Sequence, residues 1–558
     1  MTFRTLSSDV LIIGAGIAGL RAAYEAAGAG CSVRVVSRGP RCSAVIAGFN
    51  APVSEDDSEE LFEVDINRSG DTINDPALAK ILARGALHEV GFLESIGFEF
   101  AKCPDGSFDL LKPLHCSVPR LVNCGTATGA KEEELLLAEL ASRGVEVEAP
   151  VSIFRLLKDH GVVCGALGYR RGDDTLTVYS SKAVIVAAGG CGGLFDVSTY
   201  PGAIHGDSAA LAFDAGAEIT NMEFIDREPL SLLVPENLKG APLSTTMLFA
   251  GAKLVNAKCE DLIKKHFENA SELSKGELSK LILSEIGQGN GTQHGGVWFD
   301  CRALSRSELS EHENYLPVLE KNGIDLCLEP VEVAPSVHTC LGGIRIDEDC
   351  KSTVTGLFAA GEAVGNLHGA GRIGGNAGTE VLVFGAIAGQ NAAEYAKSVF
   401  EDNGAEELAE SAVSSLLKAS GTAAFGPDLK RKIRHIVSAG FPMICSKDGL
   451  EKMIKALDSL HGSIACASDS PEDIAEFAEC CNMITAAKII AVSAAARKES
   501  RGVFYRSDHP WKRPEYDYVC TVVTNTGDCP DVKLYRHHSC SLTTEDKELL
   551  YQLQNGGW

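Results

Sequence analysis

The chain has 558 residues, of which 45% are hydrophobic and 23% charged, as in a globular protein of several domains. Lysine and arginine total 51 against 76 aspartates and glutamates, which gives a net charge of −25. Because so acidic a chain repels phosphate backbones, nucleic acid is excluded as a partner. No run of about 18 apolar residues occurs, so we expect a cytoplasmic protein without direct membrane insertion.

The sequence contains 19 cysteines but no C-x-x-C pair. In a cytoplasmic chain these cysteines are expected to remain reduced thiols. Their spacing offers no framework for zinc or for an iron–sulfur cluster, so we predict that the chain has no metal site of its own.

The first elements predicted are a strand, a glycine-rich turn, a helix and a second strand, at 10–13, 14–19, 20–29 and 32–37. In the turn, which reads GAGIAG, the first glycine permits a tight turn and the second lets the backbone approach a pyrophosphate. The third allows close contact between helix and strand. The start of the helix adds partial positive charge, so the motif predicts a dinucleotide site. Ser37-Arg38 ends the second strand, where a nicotinamide nucleotide would favour an acidic residue.

Helices then alternate with apolar strands. We predict helices at 76–96 and 131–143, and strands near 145–156, 160–171, 174–180 and 183–188. Continuous apolar strands between helices are typical of a parallel sheet that is buried on both faces. From about 225 to 335, charged helices predicted at 258–286 and 305–322 replace this alternation of helices and apolar strands, which indicates an inserted domain. The first pattern resumes at 336–398, and four further helices are predicted at 406–419, 428–440, 447–461 and 471–498.

Five separated motifs carry a family resemblance. Besides the glycine turn they are AVIVAAGGCGG at 183–193, HGDSAALA at 205–212, TGLFAAGEAVGNLHGAGRIGGNAGTEVLVFGAIAG at 355–389, and ESRG with YRSDHP within 499–510. In order and spacing they resemble the flavoprotein subunit of the succinate dehydrogenase and fumarate reductase superfamily, which includes L-aspartate oxidase. The resemblance covers nearly the whole chain and implies an FAD-dependent oxidoreductase that acts on CH–CH groups.

The expected fold class is α/β. We predict a Rossmann-like, glutathione-reductase-like FAD-binding domain with an inserted α+β capping domain, followed by a helical domain and a short C-terminal extension. The FAD-binding domain is expected in two parts, 1–225 and 336–400. The other predicted bounds are 226–335 for the capping domain, 401–500 for the helical domain and 501–558 for the extension.

The resemblance implies FAD contacts that are spread over the motifs, at Gly14, Ala15, Gly16, Ala18, Gly19, Ser37, Arg38, Ser43, Gly189, Asp207, Glu362, Arg372 and Ala377. Glu362 follows a glycine at the end of a predicted strand, 356–360, where a carboxylate can accept a sugar or ribityl hydroxyl. The alternative for Glu362 is a solvated charge near a helix start. Asp207 suits a cofactor contact, the N-cap of a helix at 208–215, or both.

Many members of the family attach FAD covalently through a histidine in a segment that reads S-H-T. The corresponding stretch is Arg41-Cys42-Ser43, in which a cysteine stands in place of the histidine. We therefore expect FAD to be bound non-covalently. A thioether link through Cys42 is the alternative.

In family members that act on succinate or fumarate, two histidines and an arginine hold the substrate carboxylates, and another arginine carries the proton. His338 and Arg372 match one histidine and the clamping arginine, and a guanidinium fork suits a carboxylate. Glu228 stands in place of the other histidine. Lys275 stands in place of the proton-carrying arginine, with Lys280 as the alternative register.

These matches predict Lys275, His338 and Arg372 as catalytic residues, and Arg227, Glu228, His338 and Arg372 as substrate-binding residues. A carboxylate of Glu228 about 4 Å from a substrate carboxylate would cost roughly 4 kcal/mol at an effective dielectric constant of about 20. We therefore expect fumarate and succinate to be poor substrates. One substrate carboxylate would bind His338 and Arg372, and the other end would be neutral, cationic or hydrogen-bonding. Alternatively, Arg227 turns toward Glu228 and neutralises it.

The leading interpretation is an FAD enzyme that reduces, or forms, a carbon–carbon double bond next to the carboxylate of a small substrate in an anaerobic cell. Since the chain has no cluster or haem motif, we expect its electrons to come from an iron–sulfur or other electron-transfer protein. Three alternatives stay open. They are an amino-acid oxidase similar to L-aspartate oxidase, in which Glu228 or Asp226 meets a substrate ammonium, a flavoprotein similar to adenylylsulfate reductase, and a flavoprotein that has lost catalysis.

Overall fold

The computed structural model describes residues 3–536 except 40, 114, 126, 268–273, 313–315, 400–403, 420, 422–425 and 528–529. The first elements in chain order are β1 (Phe3–Ile13), α1 (Ile17–Gly28), β2 (Val33–Val36), β3 (Phe49–Asn50), α2 (Glu59–Gly70), α3 (Pro76–Ser95), β4 (Leu121–Val122), α4 (Thr128–Ser142), β5 (Val147–Glu148), β6 (Val151–Asp159), β7 (Val162–Arg170), β8 (Leu176–Val186), α5 (Asp207–Ala215) and β9 (Ile219–Thr220).

The following elements are β10 (Ile225–Leu232), α6 (Met247–Ala250), β11 (Lys253–Val255), α7 (Leu262–His266), α8 (Lys275–Glu285), β12 (Val297–Asp300), α9 (Arg306–His312), α10 (Leu316–Lys321), β13 (Val331–Cys340), β14 (Gly343–Ile344), β15 (Leu357–Ala359) and α11 (Asn376–Ser398). The last ones described are α12 (Ala405–Leu417), α13 (Pro427–Gly440), β16 (Ile444–Cys445), α14 (Lys447–His461), α15 (Pro471–Ala496), β17 (Tyr505–Arg506), β18 (Val519–Asn525) and β19 (Pro530–Arg536).

A mixed sheet forms the centre of the molecule, in the order β5-β2-β1-β8-β7-β6, with β15 also paired to β8. β1, β2, β5, β8 and β15 run parallel, whereas β6 and β7 pair antiparallel. Val10, Leu11 and Ile12 of β1 are fully buried because consecutive side chains of a strand point to opposite faces, and both faces of this sheet are covered. The predicted α/β class is confirmed.

Several predicted bounds were wrong. β8 is one strand, not the two predicted at 174–180 and 183–188, because its polar middle stays paired with β1 from end to end. α1 begins at Ile17 rather than at residue 20, since the Ser43 hydroxyl accepts a hydrogen bond from the Ile17 N–H (3.1 Å) and stabilises the first turn. The charged helices predicted at 258–286 and 305–322 are shorter helices, α7 with α8 and α9 with α10.

The inserted segment is built on an antiparallel sheet, the capping sheet, in the order β10-β13-β12-β11. It has a hydrophobic cluster of its own, which includes Leu230, Phe299 and Val333. β13 continues past the predicted boundary at 335, because its later residues pair with the start of β10. Glu228 thus lies on β10 and His338 on β13, two paired strands of the capping sheet.

Helices α12–α15 share one hydrophobic cluster with the central sheet, through buried residues such as Val413, Ile433, Leu457 and Ile484. The region that follows residue 401 therefore differs from the preceding one in its secondary structure, but it packs on the same hydrophobic core. Within the described residues, α15 is the helix long and apolar enough to cross a bilayer, but 72% of its most apolar window is buried inside the protein. Such burial is typical of a core helix.

The segment after α15 is anchored by a buried network of charged side chains. Arg497 lies 2.6 Å from Glu223 and 3.0 Å from Glu499, and Arg501 lies 2.8 Å from Glu499. All four side chains are fully buried, so each charge depends on its partners. β18 also joins the sheet β14-β9-β18-β19. Since Glu223 lies just before β10, the network fixes the chain that leads to Glu228.

Candidate active site

A cavity of about 880 Å³ lies where parallel strands of the central sheet end. β1, β8 and β15 end at Ile13, Val186 and Ala359, and residues that follow each of these ends line the cavity. The starts of α1 and α11 line it too, as do Glu228 and Lys275 from the capping side. Ligands of open α/β folds bind at this edge, because carboxyl ends of strands and N-termini of helices converge there.

The cavity collects nearly every residue predicted to contact the cofactor. Those that line it are Gly14, Ala15, Gly16, Ala18, Ser37, Arg38, Ser43, Gly189, Asp207, Glu362, Arg372 and Ala377. Gly19 does not line the cavity. A Cβ atom on Gly19 would lie 2.0 Å from the carbonyl oxygen of Gly14, so this glycine allows the helix to contact the turn rather than touching a ligand. Gly14 itself has φ +117°, a conformation that favours glycine.

Arg38 and Asp207 form an ion pair at one wall of the cavity. Arg38 Nη1 donates to Asp207 Oδ2 over 2.7 Å, and Arg38 Nη2 lies 2.9 Å from Glu479 on α15. Asp207 is the first residue of α5, and Gly206 is its N-cap, so the N-cap alternative for Asp207 was wrong. The buried Oδ1 of Asp207 has no hydrogen-bond partner among the described residues. It is an open acceptor for a ligand hydroxyl.

Glu362 lies in a short 3-10 helix, Gly361–Ala363, which follows β15, and its carboxyl group approaches Gly190. The backbone N–H of Cys340 donates to its Oε1 over 2.9 Å. Burial raises the pKa of Glu362 to about 8, although the hydrogen bond from the Tyr200 hydroxyl acts in the opposite direction. At neutral pH the carboxyl group is therefore mostly protonated and offers a donor as well as an acceptor. Its place in the cavity excludes the alternative of a solvated helix charge.

Cys42 also lines the cavity. Burial raises the pKa of its thiol strongly, and the carboxyl groups of Glu362 and Glu133 act in the same direction. Because the thiolate is the reactive form of cysteine, this environment holds Cys42 in its unreactive form.

The residues predicted to act on the substrate meet at the capping side of the same cavity. Lys275 Nζ lies 2.6 Å from Glu228 Oε2, and their side chains are 16% and 7% exposed, so the ion pair is shielded from water. Arg372 Nη2 donates to Thr339 Oγ1 over 3.3 Å and lies 3.6 Å from Asp226. Arg372 Nε is buried and has no hydrogen-bond partner in the described part of the chain.

His338 is held by residues that the sequence did not single out. Its Nδ1 is 2.7 Å from the hydroxyl of Thr199, and its ring centroid is 5.7 Å from that of Tyr200. Burial, with Lys275 and Arg372 nearby, keeps the pKa of His338 well below its usual value, so the imidazole is neutral. Polar residues of the lining that were not predicted include Tyr200, Ser244, Thr245, Thr246 and Thr339. Ser244, Thr245 and Thr246 form a short polar stretch in the sequence, which by itself is typical of any loop.

Arg227 and Lys280, two residues considered for the substrate side, do not line the cavity. Arg227 lies over the ring of Phe195 (5.5 Å) and donates to the carbonyl of Phe441 (3.4 Å). Successive residues of β10 point to opposite faces, so Glu228 faces the cavity and Arg227 does not. The alternative in which Arg227 neutralises Glu228 was therefore wrong, because Lys275 takes that place. Lys280 lies 4.8 Å from the ring of Tyr505, on another side of α8.

Comparison with known proteins decides the family. A model described as FAD binding domain matches residues 9–377, and one described as fumarate reductase flavoprotein C-term matches residues 430–548. The chain belongs to the fumarate reductase and succinate dehydrogenase flavoprotein family. It is an FAD-dependent oxidoreductase, and the predicted family, cofactor and enzyme class are confirmed.

This flavoprotein is 31% identical over 524 residues to one subunit of the fumarate reductase (CoM/CoB) of Methanothermobacter marburgensis, a match that covers 91% of this chain and 95% of that protein. It is 30% identical over 543 residues to L-aspartate oxidase of Caulobacter vibrioides, which covers 95% and 99%. Among solved structures, a mutant FrdA of Escherichia coli quinol fumarate reductase has a TM-score of 0.89 at 25% identity, covering 97% and 98%.

The site residues fit FAD. A Cβ atom on Gly16 would lie 2.9 Å from Ser43 Oγ, so the second glycine keeps the turn open for the approach of a pyrophosphate. The starts of α1 and α11, which also line the cavity, add backbone N–H groups and partial positive charge. Asp207 supplies the open acceptor described above, and the carboxyl group of Glu362 lines the same cavity.

We expect the FAD to be released completely by denaturation, because Cys42 stands in place of the linking histidine and its thiol is not ionised. The measurement is to precipitate the holoprotein with acid, separate pellet and supernatant, and compare their flavin absorbance. All of the flavin should be in the supernatant, with the mass of the pelleted chain equal to that of its sequence. A chain whose mass is increased by that of FAD would contradict the prediction.

Proposed function

We propose that this flavoprotein reduces a carbon–carbon double bond conjugated to a carboxylate. FAD supplies the hydride when bound. The observation that carries the proposal is that Arg372, with an unused Nε donor, and Lys275 line the same cavity as the glycine turn. A bound carboxylate and a proton donor are the two groups that such a reduction requires beside the flavin.

Arg372 binds the substrate carboxylate and polarises the conjugated double bond, because its guanidinium group pairs with carboxylate oxygens. Neutral His338, oriented by Thr199, supplies a hydrogen bond to the same carboxylate. Lys275 Nζ delivers the proton to the substrate carbon, and Glu228 holds that ammonium group in place. Because His338 is neutral, we assign proton delivery to the side chain of Lys275, which lines the same cavity.

We further propose that the electrons come from an iron–sulfur or other electron-transfer protein, and that the protein acts in the cytoplasm of an anaerobic cell. Among the described residues, no group of three or more His, Cys, Asp or Glu side chains could hold a metal ion. The electron donor is therefore sought as a separate protein.

The experiment is a single-turnover assay. The holoprotein is reduced with dithionite without oxygen and mixed with a panel of 2-enoates and the matching saturated acids. Rapid recovery of oxidised flavin absorbance with enoates, and no recovery with saturated acids, supports the proposal. If no enoate in the panel reoxidises the flavin faster than buffer does, the proposed reaction is wrong.

An amino-acid oxidase is the second candidate, since relatives such as the protein from Caulobacter vibrioides are L-aspartate oxidases. The contacts favour it less, because Glu228 is already paired with Lys275 and Asp226 lies near Arg372. Hydrogen peroxide formation in air with L-amino acids distinguishes the two candidates. The likeness to adenylylsulfate reductase, at 19% identity, concerns the fold alone.

A further inference from the structure

We infer that Glu228 restricts the active site to substrates with one carboxylate, by occupying Lys275 and closing a second anion subsite. The inference rests on the proposed function, since it concerns the substrate that binds at Arg372. It makes Glu228 the residue that determines specificity between monocarboxylic and dicarboxylic enoates.

The charges at the substrate end of the cavity are balanced. The cations Lys275 and Arg372 face two carboxylates, Glu228 at 2.6 Å and Asp226 at 3.6 Å. Lys275 is engaged in a short contact, whereas Arg372 keeps a longer one and a buried Nε without a partner in the described part. Because His338 is neutral, it adds no positive charge. Arg372 therefore keeps a donor open to an anionic ligand, whereas Lys275 is occupied by Glu228.

A second carboxylate near Lys275 would also lie near Glu228. Since the two charges are 2.6 Å apart, the attraction and the repulsion that such a carboxylate feels are of similar size. The ligand would still lose the hydration of its carboxylate on entering a site shielded from water. The second carboxylate of a dicarboxylate therefore gains no net electrostatic attraction beside Lys275 and Glu228, and it loses its hydration.

The pair is fixed by regular structure on both sides. Glu228 lies on β10 opposite Ser336 of β13, next to an irregularity in the register between Glu228 and Ser231. Lys275 is the first residue of α8, whose start is held by a capping box between Ser274 and Glu277. Neither side chain is on a loose loop, so the position of Glu228 in the cavity is fixed. Burial raises the pKa of Glu228, and the ion pair and hydrogen bond with Lys275 act in the opposite direction and favour the charged carboxylate.

The lining of the cavity also offers uncharged polar groups. Ser244, Thr245 and Thr246 line it with hydroxyl groups, and Ser244 Oγ lies 2.7 Å from Thr246 Oγ1. Hydroxyls donate to and accept from neutral amides, alcohols or carbonyls. The inferred substrate class is a 2-enoate with one carboxylate and a neutral hydrogen-bonding end.

The test compares fumarate with its monoamide, which differ only in one carboxylate. Their dissociation constants with the oxidised holoprotein are measured from perturbation of the flavin spectrum, for the natural protein and for Glu228→Gln and Glu228→His. The natural protein should bind the monoamide more tightly. In both variants the preference should shift toward fumarate by at least about tenfold, because the released Lys275 then binds the second carboxylate.

Glu332→Gln is the matched control, since Glu332 is a buried carboxylate of the capping sheet that binds Thr292 and His294 outside the cavity. It should leave the preference unchanged. Lys275→Gln, which leaves Glu228 without its cation, should weaken fumarate binding further. FAD content and Tm are recorded for each variant.

A natural protein that prefers fumarate, or variants with an unchanged preference, would overturn the inference. Because binding is measured without turnover, the outcome is separate from the proposed reaction. A shifted preference without reduction of either ligand supports the inference and counts against the proposed function. If the monoamide is reduced but the variants show no shift in binding preference, the result supports the proposed function and counts against the inference.

Discussion

Replacement of Lys275 by methionine is expected to lower the rate of double-bond reduction by about two to four orders of magnitude, the usual contribution of a positioned proton donor. Lys275 lines the cavity beside His338 and Arg372, and the imidazole of His338 is neutral. Methionine retains the aliphatic volume but has no proton to donate. The measurement is the rate at which an enoate restores the oxidised flavin absorbance after reduction with dithionite.

Lys280→Met is the matched control, because Lys280 lies on the same helix but over Tyr505 and outside the cavity. Its rate should stay within a factor of about two of the natural rate, since surface changes have small effects. Reduction by dithionite should be unchanged in both variants, as it requires no proton transfer to the substrate carbon. If the reoxidation rate falls equally in both variants, or does not fall in Lys275→Met, Lys275 is not the proton donor.

The second large effect is expected for Arg372→Met. Loss of one partner of a buried, hydrogen-bonded charge pair costs about 2–5 kcal/mol, or roughly 30- to 5000-fold in kcat/KM. Most of the effect should be in KM, because Arg372 holds the carboxylate before the reaction begins. The measurement is steady-state kinetics with the best enoate of the panel. Arg372→Lys should recover only part of the loss, because an ammonium group cannot bind both carboxylate oxygens as a planar fork does.

Arg372 was also predicted to contact FAD, so the FAD content of each variant is measured alongside the kinetics. Arg345→Met serves as the control, because Arg345 pairs with Glu218 outside the cavity. A loss of FAD without a rise in KM would assign Arg372 to the cofactor alone. Unchanged kinetics in Arg372→Met would contradict the proposed carboxylate site.

The cofactor end of the site was predictable because its signal is local. The glycine turn joins a strand directly to a helix, and the spacing of three glycines specifies which of them contacts a ligand and which contacts the chain. Gly14 and Gly16 line the cavity as predicted, whereas Gly19, which was also assigned to FAD, lies against the turn. Glu362, which the family resemblance implied, lines the same cavity shortly after the short strand β15.

The substrate end was predicted less completely, because its contacts join distant parts of the chain. Lys275 and Glu228 were assigned separately, and their pairing across 47 positions was not foreseen. The support of His338 by Thr199 spans 139 positions and was missed. Arg227 was assigned to the substrate because of its neighbour Glu228, yet the alternation of side chains along β10 turns it away.

The sequence by itself determined the family, the α/β class, the flavin and the residue types available for catalysis, because contiguous motifs encode turns and helix starts through local geometry. Only the tertiary structure decided which charges meet. It paired Lys275 with Glu228, left Arg372 with an open donor, and placed the helices from 405 onward on the core of the central sheet. The electrostatic energy of two charges depends on the distance between them in the folded protein, and this distance cannot be read from their positions in the sequence.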